Sequence, residues 1–344
     1  MHVGVDMGKR AFLAVVRWED GRFERPWLVE NPGEIREFVD LLRRAGRGRE
    51  LTVAMEPTGT YGDAMRQALS DGGLRLERVS PKGAHDYAEV FDGVPSQHDG
   101  KDAAVVAELA ALGKSREWRY EPPSEVDQEM AYWVDWMDAE RVQGSMWLGR
   151  LEGLLARHWP EATRWLKLSS ATLLRILQEY GGPGGLAEDG RAFSRVSSWG
   201  RHYLGEEKVG GLLASAADTV GVRQTTIDVR RMQVYAGQAL AARREVERSK
   251  RRLADLARGN PVIQAQARAV GVATACVLWV HLGDPHEYSC AAAYRKAMGL
   301  NLAEYSSGQY QGRLRISKRG ASQVRRWLYF AALRWVQREP VKRW

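Results

Sequence analysis

Cysteine is nearly absent: 344 residues hold two, Cys276 and Cys290. That excludes a disulfide framework and a zinc site built on cysteine sulfur, and it suits a reducing compartment. Long apolar runs are missing too. No stretch reaches the roughly 18 apolar residues a membrane-spanning helix needs. The opening MHVGVDMGKR passes straight into a strand pattern without the apolar core of a signal peptide. The expected setting is the cytoplasm. There is no internal repeat and no low-complexity tract. With 44% hydrophobic and 27% charged residues the chain can build a sizeable core, which excludes wholesale disorder. Its length suggests two or three domains.

What is present in excess is positive charge, a formal +8. It is unevenly placed. Residues 260–344 carry thirteen Lys and Arg against four Asp and Glu, so this segment alone accounts for the whole surplus. A cationic end on a near-neutral remainder is the electrostatic footprint of a polyanion binder, the alternative being a solvated basic face.

Residues 2–6 and 11–18 read as strands, and Asp20-Gly21 as a hairpin turn into a third at 22–29. Apolar residues at Ile35, Phe38, Val39, Leu41 and Leu42 give a helical stripe. LTVAM at 51–55 is a short buried strand, 61–71 a helix, 74–79 a half-exposed strand, and 99–113 a helix. This is an α/β layout with a hairpin start. From 124 to 180 the pattern is helical and rich in Trp. Gly181-Gly182-Pro183-Gly184-Gly185 then predicts a flexible hinge within a Gly-rich insertion at about 181–221. A long polar helix follows at 222–257 on a thin apolar stripe (Ile227, Met232, Val234, Leu240, Val246, Leu253, Leu256), the pattern of a coiled-coil arm or an interdomain strut that needs a partner. Gly259-Asn260-Pro261 stops it. The expected domains are 1–120, a helical arm at 121–260, and a mostly α domain at 261–344.

Four acids carry the chemistry of the first domain. Asp6 ends the first strand, Glu56 follows LTVAM, and Asp99 and Asp102 open a helix three residues apart, on one face. Ligands of open α/β sheets collect at the carboxyl ends of strands. Carboxylates gathered there repel one another unless a cation sits among them, and a hard oxygen-seeking ion such as Mg²⁺ or Mn²⁺ is the natural guest. The competing readings are a turn-forming Asp6 and an Asp99 that only caps its helix. In the C-terminal segment Arg313, Arg315, Lys318, Arg319, Arg325 and Arg326 suit phosphate oxygens. Tyr305, Tyr310 and Trp327 read as base-stacking or core aromatics, and Lys82, His85 and Lys101 as further backbone contacts.

Asp6, Glu56 within EPTGTY, and the D-x-x-D of Asp99 and Asp102 resemble the DEDD signature of insertion-sequence transposases related to the Piv DNA invertases. Residues 262–283 resemble that family's helix-hairpin-helix segment, and 294–320 its serine-bearing stretch. The resemblance implies a RuvC-like, RNase H-type N-terminal domain and a DNA transposase or recombinase. It also implies Mg²⁺ or Mn²⁺ on the four carboxylates and, as in several members, a structured bridge RNA as guide. A serine of the C-terminal domain then attacks the DNA phosphate. The matching residue is Ser307, with Ser306 beside it; on the residues alone Ser306-Ser307-Gly308 reads as a turn. A dimer or tetramer is implied, the serine completing a site on another protomer. The rival functions are a metal-dependent nuclease or resolvase that uses water, and a catalytically decayed nucleic-acid-binding protein.

Overall fold

The structure, a computed structural model, describes residues 1–57, 59–94, 98–118, 120, 122–304, 306 and 312–337. The chain divides into two compact units, Met1–Pro122 and Pro123–Trp344.

The first unit is built on a six-stranded mixed sheet. Its strands are β1 (His2–Met7), β2 (Ala11–Arg17), β3 (Trp27–Glu30), β4 (Thr52–Met55), β5 (Arg75–Val79) and β6 (Ser115–Glu117), in the order β3-β2-β1-β4-β5-β6. The hairpin β1–β2 is antiparallel, with Asp6 opposite Leu13, and β1, β4 and β5 are parallel. The helices are α1 (Ile35–Ala45), α2 (Asp63–Asp71), α3 (Pro81–Asp92) and α4 (Asp99–Ala111). Period-two alternation sorts β1 between two faces. Val3, Val5 and Met7 share one core with Phe38, Leu42, Met65 and Leu69, so α1 and α2 cover that face. Gly4 and Asp6 point the other way, toward α4.

The strand expected at 22–29 begins late. Pro26 precedes β3, and only a single bridge, Arg17 to Phe23, forms before it. Two elements go beyond the α/β reading. One is β6. The other is α3, which starts with Ser80 as N-cap, its side chain accepting from the Gly83 N–H, and with Pro81 in the first turn.

The second unit is helical. Two long helices, α5 (Glu125–His158) and an equally extended partner at Thr226–Ala257, run antiparallel, with Glu129 bonded to Arg252 and Trp136 to Glu245. Between them in sequence come α6 (Ala162–Trp165), α7 (Ala171–Tyr180), α8 (Pro183–Glu188), α9 (Ala192–Gly200) and α10 (Glu206–Ala217), which makes the long partner α11. Beyond it lie α12 (Pro261–Val270), α13 (Val272–Leu282), α14 (Ala291–Ala297), the two-residue strands β7 (Leu302–Ala303) and β8 (Arg315–Ile316), and α15 (Ser322–Val336).

Two expectations need correction here. The hinge expected at 181–185 is instead the end of α7 and the start of α8, and the segment 181–221 carries α8, α9 and α10, whose Leu186, Val196, Val209 and Leu212 share one buried core with α7 and α11. The glycines serve close packing. A Cβ on Gly182 would lie 2.1 Å from Oε1 of Gln224, and Gly181 ends α7 in the left-handed region. The stripe expected on α11 also differs, and the partner it needs is α5 of the same chain. The buried face of α11 is Met232, Ala236, Ala239, Ala242, Ser249, Leu253 and Ala257, a run of small residues that brings α5 close, whereas Ile227 and Val234 are exposed.

At one end of this pair, Met130, Val134, Met137 and Leu253 pack with Val277, Leu278, Val324 and Trp327. Trp327 is therefore a core residue. A single residue, Gly271 at φ 84°, joins α12 to α13. Among the described residues no helix is long and apolar enough to cross a membrane.

A carboxylate cluster where a helix crosses the first strand

Gly4 sets the geometry of the site. A Cβ there would stand 2.0 Å from the carbonyl oxygen of Ala103 and 2.5 Å from the amide nitrogen of Ala107. Only glycine lets α4 approach β1 this closely, and a Gly between two valines in a strand is the sequence signal for such an approach. Two residues further along the same face of β1 lies Asp6. One helical turn before Ala103 comes Asp99, with Asp102 beside it. An ion pair between Arg17 on β2 and Glu108 on α4 ties the helix to the sheet.

The result is a cluster. One oxygen each from Asp6, Asp99 and Asp102 lie within 4.8 Å of one another, with Asp6 and Asp102 half-buried and Asp99 exposed. His98, not Asp99, caps α4, its Nδ1 accepting from the Lys101 N–H at 3.1 Å. The capping reading of Asp99 therefore falls away. Glu56 stands just past β4, next to β1 in the sheet; it is not one of the three acids within 4.8 Å, but it feels the charges of Asp6 and Asp102.

The electrostatics register the crowding. Burial, then the carboxylates of Asp102 and Asp99, push the Asp6 carboxyl up from 3.8 to about 6. Burial, then Asp6 and Asp102, raise Glu56 as well. Acids held above their ordinary values by burial and neighbouring carboxylates are poised to accept a cation. The donor set, all carboxylate oxygen, suits a hard divalent ion.

The other expected contacts are placed as follows. Lys101 does not reach outward: its side chain is 3% exposed, and Nζ donates to Oδ1 of Asp92 at 2.7 Å and to the Val94 carbonyl at 2.6 Å. Its position in the sequence between two site acids is misleading, because its ammonium is turned to Asp92 and Val94. Lys82 pairs with Asp86. In the C-terminal segment Arg313, Arg315, Lys318 and Arg319 are exposed. Arg325 donates to the Gly320 carbonyl at 2.6 Å, and Arg326 pairs with Asp138 at 2.9 Å. Ser306 donates to Glu304 and accepts from the Gly312 N–H at 3.0 Å. Ser307, Tyr305 and Tyr310 lie outside the described residues. Two residues absent from the sequence reading are Gly4, which acts by its lack of a side chain, and His98, whose ring caps α4.

Comparison with known proteins follows the same two regions. A family described as a DEDD transposase of the IS110 type matches residues 3–139, and the transposase IS116/IS110/IS902 family matches residues 265–343. The chain is similar to the insertion element IS110 uncharacterized 43.6 kDa protein of Streptomyces coelicolor, 25% identical over 327 residues, 92% of this chain and 79% of that one. Among solved structures, T. thermophilus RuvC in complex with a Holliday junction substrate aligns over 34% of this chain and 98% of that chain, at 17% identity and a TM-score of 0.26. Both ends of the chain thus match models of IS110-type transposases, and these matches mark the chain as a DNA transposase or recombinase enzyme.

Proposed function

We propose that the chain cuts and rejoins DNA strands at a divalent-metal site formed by Asp6, Glu56, Asp99 and Asp102, on an RNase H-like first unit. The observation that carries this reading is the convergence of three carboxylates from β1 and α4 to within 4.8 Å. When bound, Mg²⁺ or Mn²⁺ supplies Lewis-acid polarisation of a phosphoryl oxygen. The four side chains hold it only when ionised, so the raised Asp6 and Glu56 make the site respond to pH.

Ser307 is the proposed nucleophile. Its Oγ loses its proton and bonds to phosphorus as a phosphorus–oxygen bond to deoxyribose breaks, and the departing sugar oxygen takes up a proton. Arg313, Arg315, Lys318 and Arg319 would hold the neighbouring phosphates, as bidentate guanidinium and ammonium donors do. A guide RNA, a dimer or tetramer, and kinship with the Piv invertases all rest on the sequence resemblance.

The test uses the full chain with DNA carrying the element's ends and RNA transcribed from the element. Asp6→Asn is expected to abolish strand exchange and retain nucleic-acid binding. Ser307→Ala is expected to do the same and to lose a protein–DNA conjugate that the wild type forms. Full activity in Ser307→Ala would overturn the serine step and leave attack by water.

A further inference from the structure

The second unit holds a cleft of about 790 Å³ between α7, α9 and α11, within the size range of ligand-binding clefts. Its charge balance is unusual. Along α11, Leu240, Arg243, Arg244, Glu247 and Arg251 recur at spacings of three and four and so present one helix face to the cleft. Arg175 of α7 faces them, and Trp199 of α9 forms a wall.

Among the described residues none of the four arginines has a carboxylate partner. Arg243 donates to the Ser169 carbonyl at 2.7 Å and Arg251 to the Glu247 carbonyl at 3.3 Å, both neutral acceptors. Arg175 lies over the Trp199 ring at 4.7 Å, which holds its guanidinium in place without consuming its charge. The two acids of the lining are neutralised by cations outside it: Glu179 by Arg195 at 2.6 Å, and Glu247 by Lys250 at 2.8 Å. The acids are thus spent elsewhere and the arginines are left over. Such a cleft has the chemistry to seat closely spaced anions, for which guanidinium forks are the fitting donors.

We propose that this cleft binds the phosphodiester backbone of a nucleic acid through Arg175, Arg243, Arg244 and Arg251. The inference shares with the proposed function only the class of partner. The cleft lies wholly in the second unit and uses none of the carboxylates or C-terminal basic residues. RNA and DNA offer the same backbone phosphates, and the assay separates them.

The test measures fluorescence anisotropy of the full chain with a labelled RNA hairpin and, separately, a labelled DNA duplex, across a salt series. The variants are Arg175→Gln/Arg244→Gln and Arg175→Lys/Arg244→Lys, both at exposed positions. Loss of two phosphate contacts should weaken binding about ten- to thirtyfold at roughly 0.15 M salt and flatten the log–log salt slope by about 1.4–1.8. The Lys pair should restore most of both, and the probe that responds identifies the ligand. Unchanged affinity and slope for both probes in the Gln pair would overturn the proposal. So would a loss that the Lys pair does not repair, which would mark the arginines as packing groups. Asp6→Asn should bind both probes as the wild type does, so failure of the cleft and failure of the carboxylate site are read on different variants.

Discussion

Replacing Asp6 by Asn should stabilise the metal-free protein while removing its ability to bind metal. The carboxyl is raised from 3.8 to about 6, first by burial and then by Asp102 and Asp99. In the unfolded chain Asp6 titrates near 3.8. The folded state therefore carries no Asp6 penalty at pH 3, gains it as pH rises from about 4 to 6, and bears it in full above that. Two units at about 1.4 kcal/mol each set a ceiling near 3 kcal/mol. Because the carboxyl is only half-buried, solvent screening reduces this to about 1 kcal/mol. Asn keeps the shape and discards the charge. Urea unfolding in chelator should show Asp6→Asn more stable by about 1 kcal/mol at pH 8 and equal to wild type near pH 3. The wild type alone should gain stability from added Mn²⁺. A variant destabilised by 1 kcal/mol or more at pH 8 would refute the reasoning, because it would mean that the ionised carboxylate makes favourable contacts and is not held against repulsion.

Two further expectations follow from the same geometry. Divalent-ion affinity should fall as pH drops below about 6, where Asp6 takes up a proton, by up to tenfold per unit for each proton displaced, and the raised Glu56 adds to the fall; titration calorimetry between pH 5 and 8 would show this, and a flat profile would contradict it. Gly4→Ala places a methyl group 2.0 Å from the Ala103 carbonyl, so α4 must lift from β1. It should cost about 1–3 kcal/mol in denaturant and weaken Mn²⁺ binding as well, whereas a stability loss with unchanged metal affinity would separate the packing from the site.

The candidate site was legible because its acids sit at places the chain marks plainly: the end of an apolar strand, the residue after another, and the first turn of a helix. Their charge is also hard to explain as packing. What brings them together was less legible. Gly4 between two valines signals a close approach but not which element makes it, and Lys101 looks exposed until its tail is traced to Asp92 and Val94. In the second unit the misreadings share one cause. Pattern reasoning weighs large apolar residues, and here small ones form the contact. Ala236, Ala239 and Ala242 bury the face of α11, and the glycines at 181 and 182 fit against Val229 and Gln224. Tertiary packing, not local flexibility, gives those positions their meaning. The Ser80-Pro81 start of α3 is a signal present in the sequence, a cap followed by a first-turn proline.

The central claim is that Asp6, Glu56, Asp99 and Asp102 form one metal centre. Crystals soaked in Mn²⁺ and measured at the manganese absorption edge test it most directly. The account predicts an anomalous peak within about 2.0–2.6 Å of carboxylate oxygens from Asp6 and from at least one residue of α4, lost in Asp6→Asn. Manganese bound elsewhere with this cluster empty, at pH 8, would contradict it.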